Sequence, residues 1–230
     1  MPGDHIGEGF VAGHGTFVAP DTQQIYASIA GVVHMQDRVI CVKPIRSYYR
    51  PDVGDVIVGR IVSVDHGRWL VDVNSYQHAV LNLTAINLPG GVQRRRDEED
   101  KLHMREFFQE GDLISGEIQQ VGTFDGKIMI QTRNQKYGLL KNGVLLKVDN
   151  NKIRRMKNHM MEFFSEPSIG LIIGTNGYVW IEALRKGKTT EPITEKERIQ
   201  IAVLRNAIMI LDQAKIPIFK DTILKVIEEQ

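Results

Sequence analysis

The sequence predicts a multi-domain chain that is β in its first part and α+β in its last. A small β module is expected over residues 1–50, a five-stranded barrel over 51–133 and an α+β domain over 134–230. Three observations carry this. Short β-branched and aromatic runs, bounded by Gly, Pro, Asp and Asn, fill the first 133 residues, which is the pattern of strands and turns. The text GDVIVGRI at 54–61 returns as GDLISGEI at 111–118, so two strands of one barrel begin alike. A strong amphipathic helical period appears near the end, from Thr194 onward.

Within 1–50, glycines cluster at Gly3, Gly7, Gly9, Gly13 and Gly15, and three β-prone runs follow: TFV at 16–18, IYASIAGVV at 25–33 and RVICV at 38–42. The barrel segment reads as five strands: VGDVIVGRIVSV (53–64), GRWLVDV (67–73), HAVLNL (78–83), EGDLISGEIQQV (110–121) and GKIMIQT (126–132). A long connection between the third and fourth, with a short helix over 98–108, completes the pattern of an OB-type barrel. Each repeated Gly-Asp is turn chemistry ahead of a strand, and the inner Gly suits a barrel corner. The last segment offers a strand at 143–149, a helix-prone stretch at 151–165, strands at 169–174 and 177–183, and helices at 194–215 and 219–230. On the longer helix, Ile199, Val203, Ala207, Ile210 and Ala214 form the expected core stripe. Thr194 with Glu197 three residues on forms a capping box.

Composition excludes several classes. Hydrophobic content of 42% and charge of 25% are those of an ordinary globular chain. No apolar run approaches 18 residues, so no membrane span is expected. The opening MPGDHIGEGF lacks the basic and apolar regions of a secretory signal. One cysteine, Cys41, rules out an internal disulfide and a Cys-based zinc site, and its apolar run VICVKP reads as a packed thiol. Net charge is +1, but residues 51–133 hold 9 basic and 13 acidic side chains, whereas 134–230 hold 16 and 11. A local basic patch attracts phosphate even on a near-neutral chain.

Residues 174–177 read G-T-N-G. A G-x-x-G loop between two helices is how a KH domain clamps a nucleic-acid backbone. Here the flanks are GLII and YVWI, which are strands. Asn-Gly between such runs signals a hairpin, with Thr175-Asn176 or Asn176-Gly177 at the two positive-φ positions of a type I′ turn. Gly174, Thr175, Asn176 and Gly177 are therefore read as a structural turn ahead of an RNA clamp. The order strand, helix, helix, strand, strand, helix is KH-like and would put a clamp near 155–158, where no glycine stands. Lys152, Arg154, Arg155 and Lys157 remain there as cations able to attract phosphate.

Arg94, Arg95 and Arg96, after the Pro-Gly-Gly turn at 89–91, are the sharpest RNA candidates. Arginine's planar fork makes paired, charge-assisted bonds to phosphate. The competing reading pairs them with the adjacent DEED at 97–100. Lys136, Tyr137 and Lys141 sit at the junction of the second and third segments, as candidate phosphate or interdomain contacts. Trp69 shares its face with Val71 and Val73, which places it in the core ahead of a base-stacking role. Tyr178 and Trp180 alternate onto one face and are expected to pack between domains. Catalysis is not invited: four consecutive carboxylates on a helix splay around its axis, and the seven histidines are scattered without a metal-ligand spacing. No catalytic residue, metal ligand or cofactor is assigned.

The texts GFVAGHGTFV, VGDVIVGRI, NLPGGVQRRR, MREFFQEGDLISGEIQ and LIIGTNGYVWI, in this order, resemble the ribosomal RNA-processing protein 4 family, the S1/KH cap subunits of the RNA exosome. The resemblance covers nearly the whole chain, and the NLPGG-x-RRR insertion is similar to the eukaryotic branch. Eukaryotic members carry an extension ahead of the PGD at which this sequence begins, so contacts made by that extension are not carried over. The resemblance implies a small N-terminal β module that docks on a ring, an S1-type OB barrel facing a pore and a KH-like domain. It implies a non-catalytic role in rRNA processing and RNA degradation: stabilising a ring of RNase PH-like subunits beside other exosome cap subunits, and guiding single-stranded RNA to an associated 3′→5′ exoribonuclease. It places the protein in nucleus and nucleolus and also in cytoplasm, away from membranes. A standalone S1/KH RNA-binding regulator is the alternative.

Overall fold

The structure, a computed structural model, describes residues 1–45, 48–87, 98–123, 125–184 and 193–229. The chain divides into two compact units, Met1–Ser47 and Tyr48–Gln230.

In the first unit, β1 (His5–Gly7), β3 (Thr16–Val18) and β4 (Ile25–Ala27) form one antiparallel sheet with β4 in the centre. A second sheet has the order β2 (Val11–Ala12), β6 (Val39–Pro44), β5 (Gly31–Gln36). The run IYASIAGVV is thus two strands of two sheets, broken at 28–30. Ile25, Ala27, Ile40 and Val42 are buried here. Most of β5 is exposed on both of its faces.

The second unit opens with the barrel. Strands β7 (Val56–Asp65), β8 (Arg68–Asp72), β9 (Ala79–Ile86), β10 (Leu113–Val121) and β11 (Ile128–Thr132) run in the order β7-β8-β9-β11-β10, and β10 closes onto β7. The β9–β11 pair is parallel and the other pairs are antiparallel. This closed five-stranded barrel has S1-type OB connectivity. The Gly-Asp repeat has a structural meaning. Gly54 N–H donates to Ile118 O and Gly111 N–H donates to Ile61 O; Ile61 N–H donates to Asp112 O and Ile118 N–H donates to Asp55 O. The two repeats pair with each other as quasi-equivalent antiparallel strands. The aspartates close their turns alike, Asp55 accepting from Asp52 N–H and Asp112 from Gln109 N–H.

Trp69 is fully buried among Ile57, Ile61, Val71, Leu81 and Ile114. Its indole N–H donates to Phe108 O at 3.0 Å, and its ring meets Phe108 edge-on at 5.4 Å. The expected helix over 98–108 is two short turns, α1 (Glu98–Leu102) and α2 (Met104–Phe107), whose Met104 enters the barrel core. The barrel sheet continues beyond residue 133: β12 (Gly138–Leu140) pairs with the first residues of β10.

Next comes a four-stranded antiparallel sheet of order β13 (Gly143–Lys147), β16 (Tyr178–Ala183), β15 (Ile169–Ile173), β14 (Met160–Phe163). One face packs on α3 (Glu195–Gln213) and α4 (Lys220–Glu228), burying Leu171, Ile173, Val179 and Ile181 against Leu204, Ile208, Leu211 and Ile223. On the opposite face, Ile172 and Trp180 meet Val58 and Leu113 of the barrel. β15 is buried along its whole length, which suits its unbroken apolar text. The Thr194–Glu197 capping box forms at the start of α3.

Two expectations are corrected. The stretch 151–165 is not a helix: a single 3-10 turn (Asn150–Lys152) leads through an extended loop into β14. Pairing with β15 from Met160↔Ile172 to Phe163↔Ile169 completes the sheet and buries Phe163, and that tertiary gain overrides local helix propensity. The helix pair of a KH order is therefore absent among the described residues. On α3, the buried positions are Glu197, Ile201, Leu204, Ala207, Ile208 and Leu211. Ile199 and Ile210, expected in the core, are exposed.

Candidate nucleic-acid interface

The G-T-N-G loop joins β15 to β16. Gly177 N–H donates to Gly174 O and Gly174 N–H donates to Tyr178 O. Only Gly177 has positive φ, +86°, so the turn is a type I turn closed by a left-handed glycine rather than type I′. A Cβ at Gly177 would lie 2.6 Å from the Val148 carbonyl oxygen, which restricts the position to glycine.

All four loop residues are buried, because the loop is inserted into the barrel wall. Thr175 N–H donates to Val56 O at 2.9 Å. The Thr175 hydroxyl lies 3.1 Å from Val56 O and 3.2 Å from the Tyr49 hydroxyl. Asn176 has no exposed surface. Its amide nitrogen donates to Val58 O at 2.7 Å and to Val73 O at 3.0 Å, and its oxygen accepts from Val58 N–H at 3.4 Å. Asn74 donates back to Asn176 O at 2.7 Å. The β7–β8 ladder stops at Arg60↔Asp72. Beyond it, the Asn176 side chain occupies the place of the missing partner strand. This loop offers no surface to a nucleotide backbone.

A second bonded cluster adjoins the first. Arg155 donates to Asp52 at 2.9 Å, and its Nε lies 2.8 Å from Asp55 Oδ1. Buried Asp55 also accepts from the Tyr49 hydroxyl at 2.5 Å. Burial first, then the bond to Asp55, pushes the Tyr49 phenol far above its ordinary range. The bond to Asp55 leads the causes that hold Arg155 above its usual pKa. Arg155, read from the sequence as a phosphate candidate, has its guanidinium directed onto two carboxylates of the barrel. Sequence reasoning missed Tyr49, Asp52 and Asp55, which lie about a hundred residues from their partners.

The remaining candidates are spread out. Lys136 Nζ sits 5.2 Å from the Tyr137 ring centroid. Burial, then the Glu117 charge, pushes the Tyr137 phenol up to about 12, and Tyr137 donates to Glu117 at 3.2 Å. Lys136 and Tyr137 line a cleft of about 350 Å³ with Met160, Met161, Glu162 and Glu182. Lys141, Arg154 and Lys157 are exposed, and Lys152 is half-buried. Arg94, Arg95 and Arg96 lie outside the described residues. Tyr178 and Trp180 lie between the barrel and the KH-like sheet: Tyr178 donates to Asp72 at 3.0 Å and Trp180 packs on Val58. Burial, then the Asp72 bond, pushes the Tyr178 phenol to about 12.

Comparison with known proteins agrees with this architecture segment by segment. Residues 1–36 match the family described as the exosome complex exonuclease RRP4 N-terminal region, 48–120 match the RRP4 S1 domain, and 143–186 match a KH domain. The chain is 40% identical to the exosome complex component RRP4 of Mus musculus over 97% of its length and 78% of the mouse protein. It is 48% identical to the exosome complex component rrp4 of Schizosaccharomyces pombe over 75% of its length, spanning about half, 51%, of that relative. Identity falls to 28% with the Rrp4 component of Pyrococcus furiosus, over 80% of the chain and 69% of the relative. Matched in all three of its segments and over most of the mouse protein, the chain belongs to the exosome complex component RRP4 family.

Proposed function

We propose that the chain is a non-catalytic, RNA-binding cap subunit of an RNA exosome. Its N-terminal module docks on RNase PH-like ring subunits and stabilises the ring beside the other cap subunits. Its barrel guides single-stranded RNA into the central channel toward an associated 3′→5′ exoribonuclease. The relatives' names support membership of the complex, and the S1 and KH segments support the RNA contact. Nucleus, nucleolus and cytoplasm are the compartments of this reading.

The observation that carries docking is the sheet β2-β6-β5. Val32 on β5 is 70% exposed, and Val11, Val33, Met35 and Val39 are exposed with it. Among the described residues, β5 pairs with β6 alone. An apolar edge strand without charges is what a free surface avoids, and a protein partner would cover it. The test is the mass of complexes that co-purify with the chain, with and without RNase. An RNase-resistant assembly containing RNase PH-like proteins is expected, and Val32→Asp should release the chain from it. A free chain, or association lost on RNase treatment, would favour a standalone RNA-binding regulator. RNA hydrolysis by the purified chain would overturn the non-catalytic part.

A further inference from the structure

The connection between β8 and β9 carries an aromatic side chain that is exposed and yet fixed. Tyr76 is 56% exposed. Its hydroxyl donates to Gly126 O at 2.8 Å, and the Gln77 amide donates to the same carbonyl. Gly126 has φ +64°, and a Cβ there would lie 2.6 Å from the Tyr76 oxygen. The β10–β11 turn therefore carries a glycine where the tyrosine lies down. Tyr48, 74% exposed, immediately precedes Tyr49 in the chain. Tyr49 and Ser75 form a parallel bridge, and Ser75 Oγ donates to Tyr49 O at 2.8 Å. Tyr49 is buried, whereas Tyr76, the residue after its bridge partner Ser75, is exposed. Lys127, next to Gly126, is exposed.

We propose that Tyr76 is a base-stacking platform for single-stranded RNA. The proposal rests on the RNA-binding reading above and deepens it. Every base has a π-face, so such a platform accepts any sequence. A ring already held by its hydroxyl loses little freedom when a base settles on it. The local charges are mixed, Lys127 beside Asp125, which suits a base better than a row of phosphates.

The test is binding of the full chain to a fluorescent single-stranded RNA and to the same strand made abasic. Tyr76→Ala should weaken binding to the intact strand by about 5- to 150-fold, the range of one lost stacking contact. The salt slope should stay unchanged, because no phosphate contact is removed. On the abasic strand, wild type and variant should bind alike. Tyr76→Phe, which keeps the ring, should retain most of the affinity. Equal binding of wild type and Tyr76→Ala to intact RNA overturns this platform alone. Loss of the same size on both strands overturns stacking and assigns Tyr76 a structural role. Failure of the wild-type chain to bind RNA at all overturns both this proposal and the RNA-binding reading.

Discussion

Val58 has a backbone donor and acceptor that β8 would satisfy if its pairing with β7 ran two residues further. Asn176 supplies both from a loop more than a hundred residues away, and also binds Val73. Truncating it leaves buried groups without partners, at about 1–3 kcal/mol for each one stranded. Asn176→Ala should lower the melting temperature. Asn176→Asp should lower it more, because a carboxylate then faces two carbonyl oxygens. Equal stability of Asn176→Ala and wild type in thermal unfolding would remove this bridging role. The sequence shows that position 176 belongs to a turn, but local text argues only from φ, and the turn's positive φ falls on Gly177. The partners of the side chain are legible only in three dimensions. Glu182 is a second residue with a readable consequence. Burial raises its carboxyl pKa, and the bond from the Trp180 indole offsets this only in part. Folding therefore favours its protonated form. The ionised form opposes folding fully above the raised pKa, and the penalty vanishes as pH falls below the ordinary carboxylate range. Glu182→Gln keeps an acceptor for Trp180. It should raise the melting temperature at about pH 7 and give no gain near about pH 3.

Among the elements, strand identity was the most legible, because alternating β-branched text between turns is a local signal. The stretch 151–165 was not, because its fate is set by the free edge of β15. Methionine and phenylalanine suit helix or strand, and only the pairing Met161↔Leu171 decides between them. Helix α3 was placed from its cap and its period, but the period fits two overlapping stripes. The structure buries the one through Ile201, Leu204, Ile208 and Leu211, and leaves Ile199 57% exposed. This assignment predicts opposite outcomes for two similar substitutions. Ile208→Ala, in a fully buried position, should cost about 2–5 kcal/mol. Ile199→Ala should change stability by no more than about 0.5 kcal/mol in either direction. Denaturant unfolding with unchanged slope would read both directly, and a reversed ranking would restore the stripe expected from sequence.

For the second unit as a whole, the contacts that join the barrel and the KH-like sheet include the inserted G-T-N-G loop, the apolar meeting of Val58 with Ile172 and Trp180, the Tyr178–Asp72 hydrogen bond and the Arg155 ion pairs. The module order was legible in the sequence. The joint was not, because Arg155 and Asp55 carry no mark of each other. Removing Arg155 leaves the buried Asp55 without its cationic partner, held by Tyr49 and the Asp52 N–H. A fully buried pair broken this way costs about 3–5 kcal/mol. Because the Arg155 side chain is 58% exposed, solvent screens part of that, and about 1–3 kcal/mol is expected for Arg155→Ala. Asp55→Asn in the Arg155→Ala background removes the acid left without its cation, so the double variant should be less destabilised than the two single losses added together. A coupling of about 1 kcal/mol in this cycle, read by denaturant unfolding, would establish Arg155 as a clasp between barrel and sheet. Strict additivity would mean that the guanidinium is energetically uncoupled from Asp55, and would return it to the set of cations available for phosphate.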